Sequence, residues 1–208
     1  MFNNIADNII KDFNKIKDKL HKILSTTVLE ECLILYNLVR QLEDHSIIVE
    51  IGTGLGRTAV TMGYGCIGKN SIVYTTDNYA ESDTYSEWGM KEHNQGNWNF
   101  EQAKKNIENS EVKQYIKQYN LDSIEFSKIF KEESIDLLFI DDCHEYNFVK
   151  SEINIWKNKI KKKGIMCGHD FTVRLNEQNT VARAVLDSDI VRNGLFIKNS
   201  IWIVKRWW

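Results

Sequence analysis

Three short apolar runs in this chain each break off into glycine or acid at their carboxyl ends: "SIIVEIGTG" (46–54), "IDLLFIDD" (135–142) and "GIMCGHD" (164–170). Runs of this length, rich in branched side chains and bounded by turn residues, predict buried strands. "SIVYTTDNY" (71–79) predicts another, and "GLFIKNSIWIVKRWW" predicts two strands joined by a turn at Lys198–Ser200. Helical patterns separate them, in "RTAVTMGYGCI", "EQAKKNIEN", "YNFVKSEINIW" and "VARAVLDSDIV", while "EVKQYIKQYNLDS" reads as a passage from helix to strand. Such alternation constrains the fold strongly, because parallel strands need crossover helices and those helices cover both faces of the sheet. With no repeat or linker in 208 residues, a single α/β domain is expected.

Ahead of the first strand, Ile5, Ile9, Phe13, Ile16, Leu20 and Leu24 recur at helical spacing among lysines and predict one amphipathic helix. Aspartates share its polar face, so packing on the domain or on a second copy of the chain fits better than a membrane surface. "STTVLEECLILYNLVRQL" predicts a second helix capped by Ser25, Thr26 or Thr27. Residues 1–45 thus read as a helical extension and a candidate seam for a homo-oligomer. Residues 78–99 are polar, rich in aromatics and longer than an ordinary connection, the mark of a lid or substrate loop. Tyr79, Tyr85, Trp88, His93 and Trp98 on it would stack on an acceptor and exclude water, or serve a subunit contact.

The charge balance narrows the partners. Lys and Arg number 27 against 29 Asp and Glu, a net charge of -2, which lacks the basic excess of a nucleic-acid binder. No run approaches the roughly 18–20 apolar residues of a membrane span. Cys32, Cys66, Cys143 and Cys167 are scattered without zinc-finger spacing, and the first residues lack a signal-peptide core, so a cytoplasmic setting with reduced thiols is expected. The absence of proline carries no functional meaning.

"VEIGTGLGRT" places Glu50, Gly52, Thr53, Gly54 and Gly56 where the first strand ends, and ligands of open α/β sheets bind outside such strand ends. Asp77 closes the next strand, where its carboxylate would accept ribose hydroxyls. A dinucleotide fingerprint needs a third glycine where Arg57 stands, so the loop favours a nucleoside without phosphates. With these residues in view, "VEIGTGLG" resembles motif I of the class I S-adenosylmethionine-dependent methyltransferases. Asp77 matches their ribose-binding acid, and Asp122 and Ser123 in "NLDS" resemble their adenine-side motif. The likeness runs from about Ile47 to the C-terminus, and "DLLFIDDCHEYNFVKSEINIW", "GIMCGHDF" and "SIWIVKRW" resemble the macrocin O-methyltransferase-like group of sugar and antibiotic O-methyltransferases.

That resemblance implies a Rossmann-like domain with a mostly parallel seven-stranded sheet, helices on both faces and a C-terminal antiparallel hairpin. It implies S-adenosylmethionine as cofactor, a small-molecule acceptor such as a sugar, and a divalent cation, magnesium or manganese. By the same carry-over Asp141, His169 and Asp170 would hold the metal, and His144, three residues after Asp141, would act as general base. A metal suits the chemistry because a hydroxyl is a poor nucleophile until its pKa falls. His169 departs from the usual acid, and Cys143 stands where many relatives carry a second aspartate. Asp141 and Asp170 also fit helix caps. Two rival readings are a metal-dependent hydrolase or oxygenase, and a non-catalytic partner subunit that binds the cofactor.

Overall fold

The computed structural model describes residues 2–79, 98–172 and 180–205, with the side chains of 2–6 and 193 left aside. Its centre is a seven-stranded sheet built from β1 (Ile47–Ile51), β2 (Ile72–Thr76), β3 (Ile116–Tyr119), β4 (Ile135–Ile140), β5 (Ile160–Gly168), β6 (Phe196–Lys198) and β7 (Ile201–Lys205). The spatial order is β3-β2-β1-β4-β5-β7-β6. The first five strands in that order pair in parallel, and β7 runs antiparallel to both β5 and β6. The mostly parallel sheet and its reversed terminal hairpin are the expected ones, and the turn falls between Lys198 and Ile201.

Period-two alternation divides each strand between two cores. Ile48, Leu137, Phe139, Cys167 and Ile201 face one side, where they meet α3 (Leu29–Gln41) and α4 (Arg57–Gly65). Val49, Leu138, Ile140, Met166 and Trp202 face the other, where they meet α6 (Ser123–Ser127), α7 (Tyr146–Trp156) and α8 (Val181–Leu186). Both faces being covered explains why β1 and β4 read as continuous apolar runs rather than alternating ones.

The N-terminal segment departs from one helix. It forms α1 (Phe2–Asn14) and α2 (Lys17–His21), joined by a turn in which the Ile16 N–H donates to the Phe13 carbonyl. Phe13, Ile16 and Leu20 are buried in the core beside α3 and α4 as the spacing predicts, but Leu24 is exposed and Ile23 takes its place, because the helical phase ends with α2. That face therefore packs within the chain itself. Nor does α3 begin at Ser25–Thr27; its N-cap is Val28, whose N–H donates to the Glu31 carboxylate at 3.1 Å. The passage at 111–123 becomes a single 3-10 turn, Lys113–Tyr115, leading directly into β3. Of the aromatic residues on the 78–99 stretch, Tyr85, Trp88 and His93 lie outside the described residues, as does most of that stretch; Tyr79 and Trp98 at its ends are described.

Register fixes where the functional residues emerge. Ile51 stands opposite Thr76 on one side and Ile140 on the other, and Ile140 stands opposite Gly168. The next residues, Gly52, Asp77, Asp141 and His169, therefore leave the sheet at one level, and the ladder continues through them, with Asp141 N–H donating to Ile51 O at 2.8 Å and His169 N–H to Ile140 O at 3.0 Å. Gly52 has a φ of +92°, and a Cβ there would lie 1.9 Å from the Asp141 carbonyl oxygen. A Gly52→Ala protein is expected to lose at least about 2–3 kcal/mol of stability, read as a lowered urea midpoint, because it combines left-handed backbone strain with a backbone clash.

Candidate active site

The β1 end presents a glycine loop with a buried acid beneath it. Glu50 is fully buried; its Oε2 accepts from the Thr75 hydroxyl at 2.6 Å, and its Oε1 has no hydrogen-bond partner. Burial pushes this carboxyl up to about 8, against hydrogen bonds from Thr58 and Thr75, and the nearby Asp141 and Asp77 charges push the same way. Thr53 joins the arrangement through its hydroxyl contact with Thr75. Above, Asp77 accepts from the Gly54 N–H at 2.9 Å and from the Tyr79 N–H at 2.7 Å, while the Tyr79 hydroxyl donates to Gly54 O at 3.1 Å. The Trp98 ring lies against the Cα of Gly54, 3.0 Å from where a Cβ would stand. Asp77 and Tyr79 thus brace the loop from one side and Trp98 packs on it.

These residues fit an adenosylmethionine-type ligand on their own chemistry. An orphaned, buried carboxyl oxygen at a strand end calls for a donor or a positive charge, and an aliphatic ammonium or sulfonium meets that need. Gly54, with a φ of +52°, lets backbone approach a ligand where a side chain would intervene. Asp122 and Ser123 sit at the adjacent β3 end and both carry scaffold duties. Asp122 caps α6, its Oδ1 accepting from Ile124 N–H at 2.9 Å and Glu125 N–H at 3.0 Å, and the buried Ser123 hydroxyl accepts from Trp156 Nε1 at 3.1 Å.

The β4 and β5 ends carry the acid and histidine cluster. Asp141 and Asp170 cap no helix, since α7 begins after Glu145 and α8 after Thr180. Asp170 instead adopts a left-handed backbone, φ +56°, and its Oδ2 stands 2.8 Å from His144 Nε2 and 2.9 Å from His169 Nδ1. His169 Nδ1 also lies 3.4 Å from Asp141 Oδ1, and its Nε2 lies 2.9 Å from Glu31 Oε2. The ring is therefore enclosed by three carboxylates.

Electrostatics follow from that enclosure. Burial works against a charged His169, but Asp141, Asp170 and Glu31 outweigh it and raise its pKa far above the ordinary histidine value. Burial likewise works against Glu31, but hydrogen bonds from His169 and Ser200 hold it down at about 2. Asp170 is held below the usual carboxylate range by His144 and His169 despite burial, and its hydrogen bond raises His144. His144 keeps a 43% exposed side chain, so an acceptor can reach it.

Asp141, His144 and Asp170 bring one ligand atom each within 4.8 Å of one another, a donor set of two carboxylate oxygens and an imidazole nitrogen. Two of the three expected metal residues fall in that set, and the third, His169, lies beside both of them with each ring nitrogen facing a carboxylate. A small, partly open recess no larger than a water molecule lies beside the cluster between Cys143, Val149, Val181 and Trp202, and the buried Trp202 Nε1 has no hydrogen-bond partner. Sequence reasoning missed Glu31. Its one signal is an acid on the apolar face of α3, a step from Cys32 and four before Leu35, where a charge has to find a partner.

Comparison with known proteins agrees with this geometry. A profile of the methyltransferase domain family matches residues 49–171. The fold is similar to that of an O-methyltransferase from Bacillus cereus in complex with S-adenosylhomocysteine (TM-score 0.61, 15% identity, covering 96% of this chain and 91% of that one). It is similar also to a putative O-methyltransferase from Klebsiella pneumoniae (TM-score 0.64, 12% identity, covering 94% and 89%). An O-methyltransferase from Streptomyces achromogenes involved in tomaymycin synthesis, in complex with S-adenosylmethionine, gives a TM-score of 0.61 at 8% identity, covering 94% and 89%. No curated protein sequence matches. Among the described residues no helix is long and apolar enough to cross a membrane.

The raised Glu50 carboxyl has a consequence for the ligand-free protein. Its folded pKa of about 8 exceeds the ordinary value of 4.5, so the stability it contributes is full below pH 4.5, declines as pH rises, and is gone above about 8. Urea unfolding between pH 5 and 8.5 should show that decline, and Glu50→Gln should flatten it by up to about 1.4 kcal/mol per pH unit, the weight of one proton.

Proposed function

The chain belongs to the methyltransferase-domain family and is a class I S-adenosylmethionine-dependent methyltransferase, and from that premise we propose that it methylates a hydroxyl oxygen of a small polar acceptor, a sugar or glycosylated metabolite. Family membership sets aside the hydrolase and oxygenase readings of the acid cluster. The observation that carries the O-methylation reading is the 2.8 Å contact between His144 Nε2 and Asp170 Oδ2 at the mouth of the cofactor crevice. A half-exposed imidazole oriented by a carboxylate is the arrangement that takes a proton from a hydroxyl as its oxygen attacks.

Bound S-adenosylmethionine supplies an activated methyl group on a cationic sulfur. Glu50, Gly52, Thr53, Gly54 and Asp77 hold it in this reading, with Asp122 and Ser123 shaping the adenine side. The orphaned Glu50 Oε1 faces the positive charge, and Asp77 meets the ribose. Transfer then needs the acceptor oxygen placed in line and stripped of its proton, and placement supplies much of the rate. Tyr79 and Trp98 both contact Gly54, and the 78–99 stretch that carries them, most of it outside the described residues, is the candidate lid.

A divalent cation, magnesium or manganese, would lower the acceptor hydroxyl's pKa and fix its oxygen. Asp141 and Asp170 would hold it with His144 as third ligand; His144 then acts as ligand rather than base. The 4.8 Å cluster supports this second arrangement. His169, proposed from the resemblance as a ligand, fits instead as the group that orients both aspartates. The reading also places the protein in the cytoplasm, in keeping with cysteines none of which forms a disulfide.

Calorimetric titration with S-adenosylhomocysteine should give one saturable site with or without chelator. In methyl-transfer assays against a panel of glycoside acceptors, His144→Ala and Asp170→Ala should each reduce turnover about 10²–10³-fold while cofactor affinity stays within a few fold. Unimpaired turnover in both variants would sink the mechanism, and loss of activity on chelation, restored by manganese, would select the cation-assisted form.

A further inference from the structure

The N-terminal segment does more than cover one face of the sheet. Arg57, the residue that follows the glycine loop, is buried and turns back to that segment, its Nε donating to Ile23 O at 2.7 Å and its Nη1 to Thr27 O at 2.9 Å. The Thr27 hydroxyl, held by the same turn, points to Asp141 Oδ2 at 3.4 Å. One turn further on, Glu31 is 5% exposed and spends each carboxylate oxygen on a different part of the site. Oε2 meets His169 Nε2 at 2.9 Å and the Val28 N–H at 3.1 Å. Oε1 accepts from the Ser200 hydroxyl at 2.6 Å and the Ser200 N–H at 3.2 Å, in the hairpin turn between β6 and β7.

Close polar contacts therefore run from Glu31 to His169 and from His169 to Asp170 as hydrogen bonds, and from Asp170 to His144 as an ion pair at 2.8 Å. Asp170 has a left-handed backbone, φ +56°, which aspartate tolerates but which leaves its carboxylate direction to be set by side-chain partners. A side chain at the end of a strand, with its other partner on a half-exposed histidine, would otherwise choose among rotamers. A ring locked between Glu31 and Asp170 removes that choice.

We propose that Glu31 is a positioning residue of the methyl-transfer site, acting through His169 to hold Asp170 in the orientation that engages His144, so that the N-terminal helical segment is an integral part of the active site. The inference rests on the reading of His144 and Asp170 given above. Glu31 touches neither cofactor nor acceptor in this account. Its effect is on the geometry of the group that does.

The test compares full-length wild type with Glu31→Gln, which keeps the side chain's size and removes its charge. Three measurements are made: urea unfolding, calorimetric affinity for S-adenosylhomocysteine, and the imidazole N–H resonances of His144 and His169 by nuclear magnetic resonance. Glu31→Gln should fold and bind S-adenosylhomocysteine within about threefold of wild type, while the hydrogen-bonded His144 resonance shifts or exchanges away. Manganese affinity, where wild type shows any, should fall about 10–100-fold, the usual effect of losing a partner that orients metal ligands. An unchanged His144 resonance in folded Glu31→Gln overturns the proposal. Should that variant fail to fold, Ser200→Ala is read the same way, since it removes the hydroxyl donor to the opposite carboxylate oxygen, leaving only the backbone N–H, and should loosen the same His144 signal. Failure of wild type to bind S-adenosylhomocysteine would count against the cofactor site alone, and absence of manganese binding against the cation alone, leaving the resonances to judge Glu31.

Discussion

The contact on which the site depends is between two pieces of backbone. Where β1 ends, Gly52 runs so close to the Asp141 carbonyl that no side chain could be interposed, and the ladder from Ile51 to Asp141 holds the two strand ends together. This approach brings the cofactor loop and the acid cluster within reach of one another. A methyl donor and the group that deprotonates the acceptor have to be neighbours, and a parallel sheet achieves that by ending adjacent strands at one level. Gly168 repeats the device one strand further, since a Cβ there would meet both the Ile140 carbonyl and the Trp202 ring at 2.6 Å. Trp202 packs into that space and so couples the hairpin to the strand that delivers His169 and Asp170.

The sheet was legible because burial on both faces writes a plain signal. "IIVEI", "IDLLFI" and "GIMCG" are mostly apolar runs, interrupted only by Glu50 and Asp136, and their glycine and acid endings mark the strand ends. The placement of the glycine loop and Asp77 was legible for a related reason, since both follow directly on strand ends. Helix boundaries were less so. Asn14 and Lys15 carry no strong breaker, and nothing in the apolar spacing marks the turn between α1 and α2, since Phe13 and Ile16 would share one face of an unbroken helix as well. Asp122 was read for its place in a motif, whereas its carboxylate is also needed by the α6 N-terminus, an ordinary local demand that a motif match conceals.

His169 shows best what a linear reading misses. Its neighbours in sequence are Gly168 and Asp170, and from these alone a histidine beside an aspartate at a strand end is a ligand pair. Its decisive neighbour lies 138 residues away on α3. Long-range pairing of this kind leaves only an indirect trace, an acid on an apolar helix face, and that trace does not say which residue answers it. Glu152 leaves a similar trace on α7, buried with both carboxyl oxygens lacking a hydrogen-bond partner and pushed up to about 8 by burial and by Asp142.

A histidine at this position is intelligible in terms of charge. Glu31, Asp141 and Asp170 crowd three carboxylates around one point, and such a group is stable only with a compensating positive charge. His169, driven toward its protonated form by those same carboxylates, supplies it from within the chain. The cluster is thereby preorganised before any ligand binds, and Asp170 still carries the charge that orients His144. The third carboxylate is brought by the N-terminal helix, so His169 on the strand faces acids from both sides of its ring. A segment that reads as an extension thus carries one member of the polar network at the sheet's edge, and its removal would leave His169 with a ring nitrogen and a charge both unmet.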